Sequence, residues 1–368
     1  MKTYIFGAKA TAAGLYKALA LLSPDEHIEA FLVSKREDNP ERIWDCPVRL
    51  LEEVAVLCSR EEKRERTRIY VAVPELIHQE VRTLLVEYGF TNLVMIDSQN
   101  ESNIMEQFYK RMGIFPSIHC LSMNISDASV KLPKISVYAA AFYKDKPLMH
   151  PPSTPSYVKK LYLGCRQAKE VGVHIGTRDD FYDDEGDNIS EKNPNRCEMT
   201  AHYWVWKNRM ETEDEYVGIC HYRRLLDIRD GDLKRLSVND VDVVLPFPMV
   251  HFPDGRIQHT WYVPEKDWET MRQVLRELRP DYEKRFDDIF SQPYFYNYNM
   301  MIAKKSVFAD YCSWLYPVLD RIEEISLPKG IDRADRYTAY MSESLTTLYF
   351  MCHQKDLKIY HTGRLLFT

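Results

Sequence analysis

The sequence predicts an α/β protein with two sheet-containing domains. The chain has 368 residues, which is long for a single ordinary domain. Strands alternate with helices through the first hundred residues, and a new strand begins after Pro133, over residues 134–140. We therefore expect a Rossmann-like parallel-sheet domain over residues 1–100, a linker with one helix over 101–132, and a second domain over 133–368.

The first domain begins with an apolar strand over residues 3–8 and a helix over 10–22. Strands and helices continue to alternate at the spacing of βαβ units, which predicts a parallel sheet. The other expected elements are strands over 28–33, 69–73 and 93–96 and helices over 50–57 and 75–88. A polar turn over 98–102 and a helix over 104–112 follow.

The first turn, Gly7 to Gly14, is an imperfect glycine fingerprint. A dinucleotide site needs a second glycine close to the first and an acidic residue after the second strand. Lys9 takes the place of that glycine, and the second strand ends in Val33-Ser34 with no carboxylate. NAD binding is therefore disfavoured. A phosphate or nucleotide-sugar contact, or a docking or oligomerisation role, remains open.

Charge and cysteine usage exclude several classes of protein. The 49 basic and 55 acidic residues nearly balance, so no bulk electrostatic field favours nucleic acid. The eight cysteines form no paired motif of a zinc site or a disulfide framework. We find no secretory signal and no apolar run of about 20 residues, so we expect a cytoplasmic protein.

The second domain concentrates polar motifs near one predicted strand. Over 216–220 the chain forms an apolar strand that ends in His221-Tyr222-Arg223-Arg224. Ligands of open α/β sheets collect at the carboxyl ends of strands. A buried strand has no structural need for a histidine and two arginines where it emerges, so we expect these residues to bind a ligand.

Residues 133–368 resemble a family of bacterial capsular and exopolysaccharide glycosyltransferases. The shared motifs are Gly-Asp-Asn-Ile-Ser at 186–190, Cys-Glu-Met-Thr at 197–200, Tyr-Trp-Val-Trp-Lys-Asn at 203–208 and His-Tyr-Arg-Arg at 221–224. The chain departs from the family at Leu225-Leu226, where Tyr-Phe is usual.

The resemblance implies a GT-A-like transferase that uses a nucleotide-diphosphosugar, with UDP as the expected nucleotide and galactofuranose as a candidate sugar. Its acceptor would be a glycan or a lipid-linked saccharide in capsule or exopolysaccharide synthesis. A lipid-linked acceptor would also imply peripheral contact with the inner face of a membrane. The donor-binding residues expected on this basis are His221, Tyr222, Arg223, Arg224, Asp187, Asn188, Ser190, Asn193, Asn299 and Arg336.

A glycosyltransferase must neutralise the leaving diphosphate, and either a metal or arginines can do this. Mg²⁺ or Mn²⁺ would need carboxylates, and we take the Asp-x-Asp sequence Asp240-Val-Asp242 as the candidate site. Arg223 and Arg224 could instead grip the phosphate oxygens directly. The sequence leaves both possibilities open, and we favour the arginines.

An inverting transferase also needs a carboxylate base near the acceptor hydroxyl. Glu343 lies among apolar residues of a helix predicted over 339–350, with Arg336 expected on the same face. Glu198 is the second candidate, and we favour Glu343. Either residue could instead belong to a buried ion pair.

Two other functions remain possible from the sequence. The protein could be a non-catalytic nucleotide-sugar or glycan-binding partner, which would bind ligand without turnover. An NAD-dependent sugar oxidoreductase that uses the Gly7 to Gly14 turn is the weaker alternative.

Overall fold

The computed structural model describes residues 1–123, 131–229 and 231–368. Part of the predicted linker, residues 124–130, lies outside the described residues. The rest of the chain forms a six-stranded sheet, a nine-stranded sheet and a two-stranded ribbon, with helices around them.

The N-terminal sheet contains the alternating strands and helices expected from the sequence and two strands, β3 and β4, that were not predicted. Its strands are β1 (Lys2–Phe6), β2 (Ile28–Val33), β3 (Arg42–Ile43), β4 (Cys46–Leu50), β5 (Thr67–Val71) and β6 (Leu93–Met95). Its helices are α1 (Ala10–Leu22), α2 (Leu51–Leu57), α3 (His78–Glu87) and α4 (Ser98–Met112). The strand order is β3-β4-β2-β1-β5-β6, parallel except for β3 against β4. Separate apolar clusters pack on its two faces, which explains the apolar character of the central strands.

Helix α4 begins earlier than the sequence predicts. Residues 98–102, expected as a polar turn, form its first turn because Asp97 caps the helix, with Oδ1 accepting from Asn100 N at 2.7 Å. Met105, Phe108 and Tyr109 are buried in the largest core cluster of the protein, which is otherwise built mainly from residues of the C-terminal region. The helix is thus a packed element between the two sheets.

The C-terminal region contains the larger sheet and the two-stranded ribbon. Its strands are β7 (Ile135–Phe142), β8 (Val158–Leu163), β9 (Phe181–Tyr182), β10 (Tyr216–His221), β11 (Arg224–Leu226), β12 (Val243–Pro246), β13 (Met249–Val250), β14 (Tyr294–Phe295), β15 (Met301–Lys304), β16 (Ile359–Thr362) and β17 (Arg364–Leu366). The main path is β16-β12-β15-β10-β7-β8-β9, in which β15 is antiparallel to both neighbours. Strand β11 pairs with β10 and β17, and β13 pairs with β14.

Helices cover this sheet and supply most of its core. They are α5 (Cys165–Glu170), α6 (Asn193–Arg196), α7 (Met199–Asn208), α8 (Asp232–Val238), α9 (Ile257–Tyr262), α10 (Glu265–Leu278), α11 (Pro280–Glu283), α12 (Phe286–Phe290), α13 (Lys305–Ile325) and α14 (Tyr337–Cys352). Helix α14 is buried nearly all round, which explains why it has no polar face in the sequence. Within the described ranges, no helix is long and apolar enough to cross a membrane.

The central strands of both sheets end at one cleft. In each sheet the chain winds outward from a central strand, β1 or β7, and then returns to its other side at β5 or β10. Such a reversal opens a crevice at the carboxyl ends of the two central strands. Gly7 and Ala72, which follow β1 and β5, line the same cleft as Phe142 and His221, which end β7 and β10. The fold therefore joins the crevices of the two sheets.

Direct contacts hold the two sheets in this arrangement. Tyr109 Oη donates to Pro248 O at 2.6 Å, and Arg364 Nη2 forms an ion pair with Glu101 Oε2 at 2.9 Å. Gly363 packs against α4 so closely that a Cβ at this position would lie 2.3 Å from Ser102. The interface therefore combines hydrogen bonding, charge pairing and close backbone packing.

A partly buried histidine, His119, links α4 to the C-terminal region. His119 Nδ1 lies 3.0 Å from Glu106 Oε1, and its Nε2 lies 3.2 Å from Asp232 Oδ2. Burial alone would lower the pKa of His119, but the hydrogen bonds to Asp232 and Glu106 outweigh it and raise the pKa to about 9. At neutral pH the imidazolium therefore lies between two carboxylates.

This arrangement predicts a pH-dependent stability. Because the folded pKa of His119 lies above the ordinary 6.5, its contribution is complete below pH 6.5 and is lost as pH rises through about 9. The free energy of unfolding can be measured with urea for wild type and His119→Gln across this pH window. The stability advantage of wild type should be up to about 3 kcal/mol larger at the acidic end than at the alkaline end. A difference that does not change with pH would contradict the proposed charge state.

Candidate active site

The candidate active site is the cleft between the two sheets, which has a volume of about 950 Å³. This lies near the upper end of the range for small-molecule sites. The C-terminal wall includes His221 to Arg224 after β10, together with Glu198, Arg336 and Glu343. The facing wall comes from residues 7–11 and 72–76 of the N-terminal sheet.

Strand β10 delivers the His-Tyr-Arg-Arg motif into the cleft. The strand is parallel to β7, and Tyr222 N continues the pairing by donating to Ala140 O at 2.9 Å. The chain then turns back, so that His221 pairs with Arg224 at the start of β11. All four side chains of the motif line the cleft, as expected from the position of the motif at a strand end.

Three arginines of the cleft have no carboxylate within ion-pair distance in the described chain. Arg223, Arg224 and Arg336 line the cleft, and none of them makes an ion pair within the described part of the chain. Burial, with Arg364 and Arg223 nearby, lowers the pKa of Arg224 from its usual value. These guanidinium groups are therefore available to an anionic ligand.

The turn before β15 connects the arginines to the carboxylates. Two guanidinium groups lie over the ring of Tyr298. The guanidinium carbon of Arg224 is 4.7 Å from the ring centroid, and that of Arg364 is 5.2 Å from it. Its carbonyl oxygen lies 2.8 Å from His221 Nε2, so that nitrogen carries the proton. Burial lowers the pKa of His221, which keeps the ring neutral at neutral pH.

Glu343 is a buried carboxyl at the edge of this cleft. Its Oε1 accepts from Tyr298 N at 2.7 Å, and its Oε2 accepts from Gln258 Nε2 at 3.0 Å. Burial raises the pKa of Glu343 to about 7, with the Glu198 charge adding to the effect. Arg336, expected as its partner, precedes α14 in a left-handed conformation and donates to Cys197 Sγ at 3.1 Å instead.

Glu198 also lines the cleft, and Asn299 holds it in place. Asn299 Nδ2 donates to Glu198 Oε1 at 2.8 Å and to Ser342 Oγ at 2.9 Å. The oxygen of the same amide accepts from Thr346 Oγ1 at 3.1 Å. Asn299 is buried and does not line the cleft, so the contact that the structure gives it is with Glu198, and its expected donor contact stays a prediction.

The Gly-Asp-Asn-Ile-Ser loop makes hydrogen bonds within the protein. Asp187, Asn188 and Ser190 do not line the cleft, and their expected donor contacts stay a prediction. Asp187 accepts from Tyr203, Asn188 bonds within the loop, and Ser190 Oγ donates to the buried Asp183 at 2.7 Å. Gly186 has a φ of +60°, and a Cβ there would lie 2.1 Å from the Asn208 amide. The motif therefore fastens the loop to α7.

Asn193, the last residue expected from that segment, does line the cleft. Its amide nitrogen donates to Cys197 O at 3.0 Å and to Thr200 Oγ1 at 3.1 Å. These bonds fix the backbone on which Cys197 and Glu198 sit. The expected contact of Asn193 with the donor is therefore compatible with its position.

Asp240 and Asp242 lie outside the cleft. They come directly before β12, at its N-terminal end. Lys304 Nζ pairs with both, at 2.8 Å from Asp242 Oδ1, and Lys358 Nζ lies 3.1 Å from Asp240 Oδ2. Lysine charge balances them, and their expected role as metal ligands stays a prediction. No group of three or more His, Cys, Asp or Glu residues in the described chain is arranged to hold a metal.

The cleft also contains residues that sequence reasoning missed. Trp261 and Tyr262 from α9 and His251 after β13 line it, as does Gln258, the partner of Glu343. The available signal was the Trp-Tyr pair in a polar segment that follows Pro253 and Gly255. No family motif marks this segment, and its place beside Glu343 depends on long-range packing.

Close packing in the N-terminal turn requires a glycine at position 7. Gly7 has a φ of +121°, and a Cβ there would lie 2.5 Å from Ala72 O at the end of β5. Lys9 Nζ reaches across the cleft to within 4.9 Å of the Trp261 ring centroid and donates to Asp38 O at 2.7 Å. The glycine is therefore explained without a bound dinucleotide.

Comparisons with known proteins place the fold. The apo structure of WbbM, a bifunctional glycosyltransferase, is similar to this chain with a TM-score of 0.51 and 25% sequence identity. The similarity covers 63% of this chain and 45% of the WbbM chain, so this protein spans less than half the length of that neighbour. No curated protein sequence matches the chain.

A family model also matches residues 149–355, which include Glu198, the His-Tyr-Arg-Arg motif, Arg336 and Glu343. The matched segment is more than half of the 368 residues. The chain therefore belongs to the family described as a domain of unknown function, DUF4422.

Proposed function

We propose that the protein is a GT-A-like glycosyltransferase that moves a sugar from a nucleotide-diphosphosugar, with UDP as the nucleotide, to a saccharide acceptor. The observation that carries this proposal is the set of cleft arginines, Arg223, Arg224 and Arg336, that make no ion pair in the described chain. The similarity to WbbM supports the reaction class. Galactofuranose is the first donor sugar to test, and a lipid-linked glycan of capsule or exopolysaccharide synthesis is the proposed acceptor.

The arginines would stabilise the leaving diphosphate. When the bond between the sugar C1 and the phosphate oxygen breaks, its electron pair and negative charge move onto the diphosphate. Preorganised guanidinium groups stabilise that charge as it develops, and planar arginines can do so through paired hydrogen bonds. Arg223, Arg224 and Arg336, which all line the cleft, are the candidates.

Glu343 would be the general base of an inverting reaction. The acceptor hydroxyl oxygen attacks C1 from the face opposite the leaving group, forms the new glycosidic bond and passes its proton to Glu343. A pKa of about 7 suits a base that must accept and release a proton near neutral pH. Tyr298 N and Gln258 hold both carboxylate oxygens, which fixes the direction of approach.

Substitution of the motif arginines tests the proposed diphosphate site. Arg223→Ala and Arg224→Ala should each weaken UDP binding more than tenfold in isothermal titration, because each removes charged hydrogen bonds. Arg321→Ala is the matched control, since Arg321 is a surface arginine paired with Glu277 and Glu324. Unchanged UDP affinity in both motif variants would contradict this role.

The pH profile tests the proposed base. In wild type, kcat/KM should rise as pH increases through about 7, because Glu343 must be deprotonated to act. Glu343→Gln should lose this inflection and at least about a hundredfold in kcat, with UDP affinity retained. Glu198→Gln is the comparison variant and should keep an inflection, moved to lower pH because the Glu198 charge helps to raise the pKa of Glu343. If Glu198→Gln loses the inflection and Glu343→Gln keeps it, Glu198 is the base. If wild type binds UDP but shows no turnover, a non-catalytic binding protein is favoured.

Chelation tests the choice between arginines and a metal. Because guanidinium groups can supply the positive charge at the diphosphate, we propose that UDP release with a sugar donor continues in EDTA and changes less than about threefold when Mn²⁺ is added. Complete loss of turnover in EDTA, restored by Mn²⁺, would contradict the metal-independent mechanism and leave the transferase proposal standing.

A further inference from the structure

Aromatic rings form a shelf beside Glu343. The shelf consists of Trp261 and Tyr262 on α9 and Tyr340 on α14, all lining the cleft. Tyr262 and Tyr340 stack with centroids 4.6 Å apart and planes 14° apart. Trp261 and Tyr262 remain 37% and 46% exposed, whereas most large rings of this chain are buried. Exposed rings within a concave site are typical of ligand contact surfaces.

An unsatisfied buried nitrogen lies next to this shelf. His251 is 1% exposed, lines the cleft, and packs with its ring centroid 5.8 Å from that of Trp261. Its Nδ1 has no hydrogen-bond partner in the described chain, while Nε2 lies 3.4 Å from Asn297 Oδ1. Burial lowers the pKa of His251 to about 4, so the ring is neutral. With the proton on Nε2, Nδ1 is a buried acceptor that has no hydrogen-bond partner in the described chain.

The shelf lies at the base end of the cleft. Gln258, on the same short helix as the two shelf residues, donates to Glu343 at 3.0 Å. In an inverting reaction the base contacts the acceptor hydroxyl, so an acceptor must lie against these rings. The apolar faces of sugar rings pack on aromatic rings, and their hydroxyls need polar partners such as His251.

The N-terminal sheet supports the shelf from across the cleft. Lys9 is held by the carbonyl oxygen of Asp38 at 2.7 Å, and its ammonium lies 4.9 Å from the Trp261 centroid. This cation–π contact links the first turn of the chain to α9. The first turn thereby helps to fix the orientation of Trp261.

We infer that Trp261, Tyr262 and Tyr340 bind the acceptor saccharide, that His251 Nδ1 accepts one of its hydroxyls, and that Lys9 positions Trp261 from the N-terminal sheet. This inference rests on the proposed function and assigns its acceptor site. It makes the N-terminal sheet a part of the substrate site.

Saturation-transfer NMR with methyl glycosides tests the shelf. The probes are methyl β-galactopyranoside, β-glucopyranoside, N-acetyl-β-glucosaminide and α-mannopyranoside, each titrated into full-length protein saturated with UDP. At least one should bind, and Trp261→Ala or Tyr262→Ala should weaken it about tenfold or more, as loss of a stacked ring implies. Lys9→Met should weaken it about threefold. UDP affinity should be unchanged in every variant, which also shows that each variant is folded.

Lys17→Met is the matched control. Lys17, on α1, lies 4.2 Å from the ring centroid of Trp44, which connects β3 and β4. Neither residue lines the cleft, so glycoside affinity should not change. The inference is overturned if no glycoside binds to protein that binds UDP, or if the shelf variants bind glycosides as wild type does. Failure of wild type to bind UDP would count against the proposed function instead.

Discussion

One turn, at Tyr298 and Asn299, organises the whole candidate site. Both residues have left-handed backbone conformations, with φ of +75° and +48°, which are unfavourable for side chains larger than glycine. The turn directs the Tyr298 N–H to Glu343, its carbonyl to His221 and its ring beneath Arg224. The Asn299 side chain holds Glu198. The strained turn thus fixes the positions of both carboxylates relative to the cationic groups.

The arrangement of the two sheets places the ends of their central strands at the same cleft. Each sheet reverses its winding at a central strand, and both crevices open on one cleft. Helix α4 makes this possible because its residues pack into the core of the C-terminal region while Glu101 pairs with Arg364 at the cleft wall. Both sheets therefore contribute to the cleft walls, and Lys9 of the first turn comes within 4.9 Å of the Trp261 ring centroid.

Local sequence patterns predicted the parts of the site that sit where a strand ends. The His221 to Arg224 motif follows an apolar strand, and its placement in the cleft needed only that rule. The strand and helix pattern of the first hundred residues was likewise predictable from periodicity. The sequence alone could not place the Gly-Asp-Asn-Ile-Ser loop, because a buried hydrogen-bond network and a binding loop use the same polar residues. The shelf and the Gln258 contact were out of reach, since they depend on which distant elements pack together.

A crystal structure of the protein with UDP tests most directly the claim that unpaired arginines make this cleft a diphosphate site. The β-phosphate should lie within hydrogen-bond distance of Arg224 and Arg336, with Glu343 and the shelf free for an acceptor. Binding of the diphosphate at the Gly7 to Lys9 turn, or at a site away from the arginines, would contradict the proposed assignment of the cleft.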